Sequence, residues 1–321
     1  MKPVIAVLIP CHNEQAAIGQ VVRDFRQALP HARVFVYDNN STDDTIAEAR
    51  RAGAIVRSEL LPGKGNVVRR MFADIEADVF VLVDGDDTYD ASAAPRMVDR
   101  LLVDALDMVS ASRVATSQGA YRPGHRFGNA FLTRCVTQVF GNRLTDMLSG
   151  YRVFSRRFVK SFPALASGFE IETELTVHAL ELRLPIAEMS TTYRERPAGS
   201  TSKLRTYSDG WRILRTIFAL VKGEKPLQFF SLVFGLLFAA SLALGIPVVL
   251  EYAGTGLVPR LPTAVLAASL VLLACLSLVC GLVLDTVTRG RIEAKRLHYL
   301  SLPIRFSPLQ SLSTRERSRH A

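Results

Sequence analysis

Cysteine is scarce in this chain, with four residues in 321. Cys11 and Cys135 are far apart in sequence, and Cys275 and Cys280 fall inside an apolar run. No pair has the spacing of a zinc ligand set or a disulfide framework. The six histidines form no cluster. Glycine-rich phosphate motifs are missing too. No GxGxxG follows the first apolar run, and no GxxxxGK followed by Ser or Thr occurs anywhere, which argues against dinucleotide-binding and P-loop proteins. Before Pro10 the N-terminus offers only residues 4–9 as an apolar run, too short for the core of a secretory signal. The domain that follows is therefore expected in the cytoplasm, as the low cysteine count also implies.

Charge is missing from two long stretches. Residues 229–250 read FFSLVFGLLFAASLALGIPVVL and residues 263–284 read TAVLAASLVLLACLSLVCGLVL. About 20 helical residues cover the roughly 30 Å hydrocarbon core of a bilayer. A buried helix of a soluble protein almost always keeps one polar face, so both stretches are expected to span a membrane. The mean hydropathy of +0.19 agrees. The net charge of +9 is uneven: residues 194–225 hold eight Lys/Arg against three Asp/Glu, and residues 289–321 hold eight against two. Basic patches flanking apolar spans fit an anionic membrane surface rather than nucleic acid. The positive-inside rule then puts both termini in the cytoplasm and the 251–262 loop outside, as in a multi-pass protein of the cytoplasmic (inner) membrane.

The first two hundred residues begin by alternating strand and helix. Residues 4–9, 34–37, 55–56 and 79–83 read as strands; 14–29, 43–52 and 67–75 read as helices. Residues 39–42, Asn-Asn-Ser-Thr, supply a cap for the second helix. This order predicts an α/β fold with a mostly parallel sheet, right-handed crossovers and ligands beyond the carboxyl ends of the strands. Polar clusters stand at three of those ends: Pro10 to Glu14, Asp38 to Ser41 and Asp84 to Asp87. Asp84 and Asp86 fall on one side of an extended strand end. Oxygen-only ligands of this kind suit Mg²⁺ or Mn²⁺ held jointly with substrate phosphates, although an acidic capping turn would carry the same letters.

Taken together and in this order, PCHNE (10–14), DNNSTDDT (38–45), GKG (63–65) and DGD (84–86) resemble the family 2 glycosyltransferases of the GT-A (Rossmann-like) fold. Further on, DMLSGYRVF (146–154), GFEIETEL (168–175) and RPAGSTSKL (196–204) resemble the polyprenyl-phosphate branch, with its dolichol-phosphate mannose synthases and bacterial undecaprenyl-phosphate glycosyltransferases. The resemblance covers roughly residues 3–220, and a pair of C-terminal spans matches many members. It implies inverting transfer of a hexose from a UDP- or GDP-linked sugar to a polyprenyl phosphate, with undecaprenyl phosphate the expected acceptor. The alternative is another lipid or polysaccharide acceptor. The QxxRW motif usual in processive synthases is absent, and intact acidic clusters argue against a non-enzymatic adaptor.

By the same resemblance, Pro10, Asn13, Glu14, Asp38, Lys64, Asp84 and Gly85 would hold the nucleotide sugar, and Asp84 and Asp86 would hold the Mg²⁺ or Mn²⁺. Gly85, Asp87 and Thr88 stand where many relatives show Ala, Leu and Gln, so a third metal contact does not follow. Lys64 either reaches a phosphate or marks a turn in which its flanking glycines matter. A lipid phosphate is mostly dianionic at cytoplasmic pH and needs positive charge beside it rather than a strong base. Arg126, Arg152, Arg196, Ser202 and Lys203 are the expected acceptor-phosphate residues. Asp86, Asp146, Arg113 and Glu172 are the expected catalytic group. On a strand, Glu170, Glu172 and Glu174 would share one face; on a helix they would spread apart.

Residues 207–221 place Trp211, Leu214, Phe218 and Val221 at helical spacing beside Arg212 and Arg215, an amphipathic helix for the interface or for packing on the domain. The expected organisation is a catalytic domain over 1–203, this juxtamembrane helix over 204–226, two spans over 227–288 and a basic cytoplasmic tail over 289–321. Family resemblance adds a homo-oligomer, with a tetramer as one form.

Overall fold

The computed structural model describes residues 2–115, 145–168, 170–194, 222–223 and 225–303. The chain divides into two units, Met1–Ile213 with Lys295–Ala321, and Leu214–Ala294. In the first, β1 (Ile5–Cys11), α1 (Ile18–Ala28), β2 (Arg33–Asp38), α2 (Thr45–Arg51), β3 (Ile55–Ser58), α3 (Lys64–Asp74) and β4 (Val79–Leu82) follow the alternation read from the sequence. β1 is buried along most of its length and β4 throughout, which explains their continuous apolar runs. After α4 (Ala94–Val103) come β5 (Met108–Ala115), β6 (Arg152–Ser155), α5 (Arg156–Ser161), α6 (Ile171–Glu181) and β7 (Ile186–Tyr193).

The seven strands form one sheet in the order β3-β2-β1-β4-β6-β5-β7. β1 pairs in parallel with β2 and β4, β2 with β3, and β5 with β7. Among the described strands only β6 runs against its neighbours, lying between β4 and β5. The sheet is therefore mostly parallel, as expected. The main core packs Val7, Ile9, Val36, Val81 and Val153 of the sheet against Val22 and Phe25 of α1 and Met97 of α4.

Local boundaries differ from the sequence reading in ways that matter for the site. Apolar spacing predicts the third helix from residue 67, but α3 begins at Lys64. Gly63, at φ 121°, makes the turn into it. A Cβ on Gly63 would lie 2.2 Å from the Ser167 carbonyl oxygen, and one on Gly65 2.1 Å from that of Ala166, so both must be glycine. The cap expected from residues 39–42 is not made there. Asp43 accepts from the Thr45 N–H at 3.1 Å, and Asn39 instead donates to the carbonyls of Glu59 and Leu61, both at 2.8 Å.

Arg152 requires a correction. It is fully buried on β6. Its Nε donates to the Ser149 carbonyl at 2.9 Å, one terminal nitrogen to Thr176 Oγ1 at 2.8 Å and the other to the Met147 carbonyl at 2.5 Å. A guanidinium spent on protein carbonyls inside the core is a scaffold and does not grip a lipid phosphate.

In the second unit, α7 (Pro226–Thr255) pairs with α8 (Leu261–Ser301), whose last turns, from Lys295, lie in the first unit. Both are long and apolar enough to cross a membrane, with window hydropathies of 2.4 and 2.6. Only 11% and 17% of those windows are buried, unlike a soluble core helix. Small residues stand where the pair touches, a pattern that suits helices packing in lipid. The Ser241 hydroxyl donates to the Ala267 carbonyl at 2.8 Å, Ser277 to that of Phe230 at 3.2 Å, and Gly281 lies against Phe230.

The first part of the expected basic tail, residues 289–301, is helical, because α8 continues to Ser301. In the first unit its end is fastened by charge and ring contacts. Lys295 donates to Glu181 at 2.7 Å, Tyr299 Oη donates to Asp107 at 2.6 Å, and Arg157 lies 4.0 Å over the Tyr299 ring.

On α6, His178 is buried between the edges of Phe158 and Phe162. Burial, helped by Lys295, pushes its imidazole down to about 4. As pH falls the unfolded chain therefore takes up this proton before the folded one. Stability should decline from about pH 6.5 to about pH 4, by about 3 kcal/mol for this group alone. His178→Leu should flatten the slope over that range in thermal unfolding of the purified protein. An unchanged slope would show that His178 is not responsible.

Candidate active site

The carboxyl ends of β1, β2 and β4 meet at one edge of the sheet, because the three strands are parallel and adjacent. Asn13 follows β1 in the left-handed region, at φ 52°. Its Oδ1 accepts from the Thr42 N–H at 2.7 Å, and its own N–H donates to Ser41 Oγ at 2.8 Å. The Glu14 N–H donates to Thr45 Oγ1 at 2.8 Å. These bonds latch the turn after β1 to the turn after β2. At the end of β2, Asp38 is buried; its Oδ2 accepts from the Ser41 N–H at 3.1 Å. Its Oδ1 has no hydrogen-bond partner among the described residues, so a buried acceptor is left for a ligand donor.

Asn39 was missed as a site-building residue. Besides holding the carbonyls of Glu59 and Leu61, its Oδ1 accepts from the Gly63 N–H at 2.7 Å, and so it suspends the loop that delivers Lys64. Lys64 Nζ is inserted between Asp84 Oδ1, at 2.5 Å, and Glu172 Oε1. Burial pulls this ammonium down, but Asp84 and Glu172 outweigh it and hold it above the usual lysine range. Burial, reinforced by Asp84, pushes the Glu172 carboxyl up against the pull of Lys64. The alternatives at 170–174 are thereby resolved: the segment is helical, Glu172 alone turns to Lys64, and Glu174 accepts from the N–H groups of Leu165 and Ala166.

Around this pair the backbone is tight. A Cβ on Gly150 would lie 2.2 Å from Asp84 Oδ2, and one on Gly85 2.6 Å from Cys11 Sγ. Asp86 is buried, and its Oδ1 accepts from the Thr88 hydroxyl at 2.6 Å. Tyr89, also missed from sequence, accepts the Gly150 N–H at 2.9 Å and packs edge-on to Tyr151 and Tyr193.

Asp146 and Arg113 pair with each other. Arg113 Nε donates to Asp146 Oδ2 at 2.7 Å and a terminal nitrogen to Oδ1 at 2.8 Å, a fork geometry. The same guanidinium lies 5.5 Å from the Tyr193 ring centroid. Arg152, buried behind the site, feels the charges of Glu172 and Asp146. Among the described residues, the charged groups gathered here are thus the carboxylates of Asp84, Asp86, Glu172 and Asp146 and the cations of Lys64, Arg113 and Arg152.

Among the described residues no three His, Cys, Asp or Glu gather as a ready-made metal site. The chemistry of Asp84 and Asp86 nevertheless fits Mg²⁺ or Mn²⁺, which binds through one or two carboxylates and completes its shell with phosphate oxygens and water. The structure brings Asn13, Glu14, Asp38, Lys64, Asp84, Gly85, Asp86 and Glu172 to the strand ends, with Pro10 on β1 beside them. Arg126, Arg196, Ser202 and Lys203, and the amphipathic segment 207–221, lie outside the described residues.

Comparison with known proteins gives a consistent picture. The family model described as glycosyl transferase family 2 matches residues 6–162. The glycosyltransferase AglJ of Haloferax volcanii is 34% identical over 250 residues, 77% of this chain and 82% of that protein. A dolichyl-phosphate hexose transferase of the same organism is 28% identical over 221 residues, 69% of this chain and 95% of that protein. Among solved structures, glucosyl-3-phosphoglycerate synthase from Mycobacterium tuberculosis, in complex with Mn²⁺, UDP and glucosyl-3-phosphoglycerate, superposes with a TM-score of 0.55. It is 25% identical and covers 68% of this chain and 79% of that one.

The buried Lys64 generates a prediction independent of turnover. Lys64→Met leaves Asp84 and Glu172 facing each other without their cation and should cost about 3–5 kcal/mol at neutral pH. The cost should shrink as pH falls, because Glu172 already binds its proton more tightly than usual. Thermal unfolding across pH would check both, and a pH-independent loss would contradict the electrostatic account.

Proposed function

The chain belongs to glycosyl transferase family 2, and on that footing we propose that it moves a hexose, with inversion, from a UDP- or GDP-linked sugar to a polyprenyl phosphate, undecaprenyl phosphate being the expected acceptor. The observation that carries this reading is the gathering of Lys64, Asp84, Asp86 and Glu172 at adjoining strand ends, in a chain that also holds two helices apolar enough to span a membrane. The Haloferax dolichyl-phosphate hexose transferase supports a lipid phosphate acceptor, and the mycobacterial complex supports UDP with Mn²⁺.

Pro10, Asn13, Glu14 and Asp38 line the nucleoside side, where the unpartnered Asp38 Oδ1 accepts a hydrogen bond from base or ribose. Asp84 and Asp86 would hold the divalent ion, which when bound stabilises the charge of the departing nucleoside diphosphate. Gly85 packs on Cys11 and so seats the Asp84–Asp86 turn close against β1 on the donor side. Lys64 fixes Asp84 in place and holds Glu172 near it. On the acceptor side the Arg113–Asp146 fork presents a carboxylate of set orientation. Arg126, Arg196, Ser202 and Lys203 supply the positive and polar groups for the lipid phosphate.

The direct experiment supplies radiolabelled nucleotide sugars to purified enzyme with and without undecaprenyl phosphate. Lipid-dependent labelled product is expected; transfer indifferent to the lipid would overturn the acceptor assignment. Asp86→Asn, or the parent enzyme stripped with EDTA, should lose about 10²-fold or more of its turnover. Near-normal activity in either case would remove Asp86 and the metal from the mechanism.

Both chain termini and the catalytic unit lie on the cytoplasmic side in this reading. In a background free of native cysteines, a cysteine replacing Thr255 should react with a thiol reagent that cannot cross the inner membrane. One replacing Ser313 should not. The reverse pattern would place the acceptor on the opposite face.

A further inference from the structure

Glu188 on β7 has no place in the site described so far, yet it makes four hydrogen bonds to the residues that carry the Asp146 carboxylate. Its Oε1 accepts from the Asp146 N–H at 2.9 Å and the Thr145 N–H at 3.1 Å. Its Oε2 accepts from the Thr145 N–H at 2.9 Å and the Thr145 hydroxyl at 2.6 Å. Successive backbone N–H groups aimed at one point make a concave anion site, and here a side-chain carboxylate of the same chain fills it. Bonds to an ionised acceptor are the stronger kind, so this is a firm anchor for a short piece of backbone.

Asp146 is consequently held from two directions. Arg113 of β5 grips its carboxylate, and Glu188 of β7 grips its backbone. The two strands pair in register, with Ser110 opposite Glu188 and Arg113 opposite Thr191. Both anchors therefore stand on one paired ribbon, the kind of rigid support that keeps a reacting group within fractions of an ångström.

We propose that Glu188 is a positioning residue for the transfer reaction: it sets where Asp146 presents its carboxylate and touches no substrate itself. This rests on the reading of Asp146 as an acceptor-side residue. Misplacing a reacting group by about 1 Å can cost about 10²-fold, so Glu188→Ala should lower kcat by about 10- to 100-fold. Donor KM should stay within about twofold. Glu188→Gln keeps one carbonyl oxygen to accept an N–H and should recover part of the loss.

Three measurements decide the matter. Amide hydrogen exchange over residues 145–151 should quicken in Glu188→Ala while that of β1 and β4 stays as in the parent protein; unchanged exchange would overturn the anchor. In an Asp146→Asn background, Glu188→Ala should add less than about a twofold further loss, since sites that act through one another are not additive. Independent, multiplying losses would show that Glu188 does not work through Asp146. If Glu188→Ala does not fold, the same cycle run with Glu188→Gln carries the test. Wild-type turnover by Asp146→Asn alone would overturn the reading of Asp146. The exchange measurement does not depend on turnover, and so distinguishes that failure from a failure of the anchor.

Discussion

A lysine ammonium buried between two carboxylates is the constraint around which the site is arranged. Lys64 could not be taken out of water alone; Asp84 and Glu172 make its burial tolerable, and Lys64 does the same for them. Those three residues come from the start of α3, the end of β4 and the first turn of α6. The pair of contacts therefore ties together parts of the chain more than a hundred residues apart. The loops on either side give way to it: Gly63 and Gly65 let the 165–167 segment close over α3, and Gly150 lets Asp84 lie against the backbone.

The same logic of paired charge runs through the far side of the site, around Asp146. Arg113 and Asp146 neutralise each other at the sheet edge, while Arg152 sits wholly inside, satisfied by two carbonyls and a hydroxyl. Only β6 among the described strands is antiparallel, and it is the strand that carries Arg152 between β4 and β5. Inserting β6 there places residues 146–151 next to the end of β4, where the Asp84–Asp86 cluster lies. Among the described residues of the site, Lys64, Arg113 and Arg152 are all engaged with protein groups. Positive charge beyond the residues already paired is what the basic segment 194–225 supplies in sequence.

Much of the fold was legible because apolar spacing reports burial directly. Residues 4–9 and 79–83 are uninterrupted apolar runs because their strands have helices on both faces, and the two charge-free stretches stand out because they carry no polar face and are long enough to cross a bilayer. The acidic and polar letters at the strand ends were equally plain, since parallel strands send all their carboxyl ends to one edge. The position of β6 was not legible, because nothing in Arg152–Ser155 records which strands it will lie between.

What the sequence by itself determined is the set of local tendencies: strand, helix, apolar span, and the residue types at each strand end. Partnership was decided only in three dimensions. Lys64 had two equal readings until Asp84 and Glu172 enclosed it. Arg152 read as a phosphate ligand until the fold placed it in the core. Glu188 gave no signal at all. The physical reason is the same in each case. The charge of a side chain is written in its letter, but its energy depends on burial and on what lies within about 3–4 Å. Those neighbours come from elements distant in the chain, so only the folded arrangement could assign them.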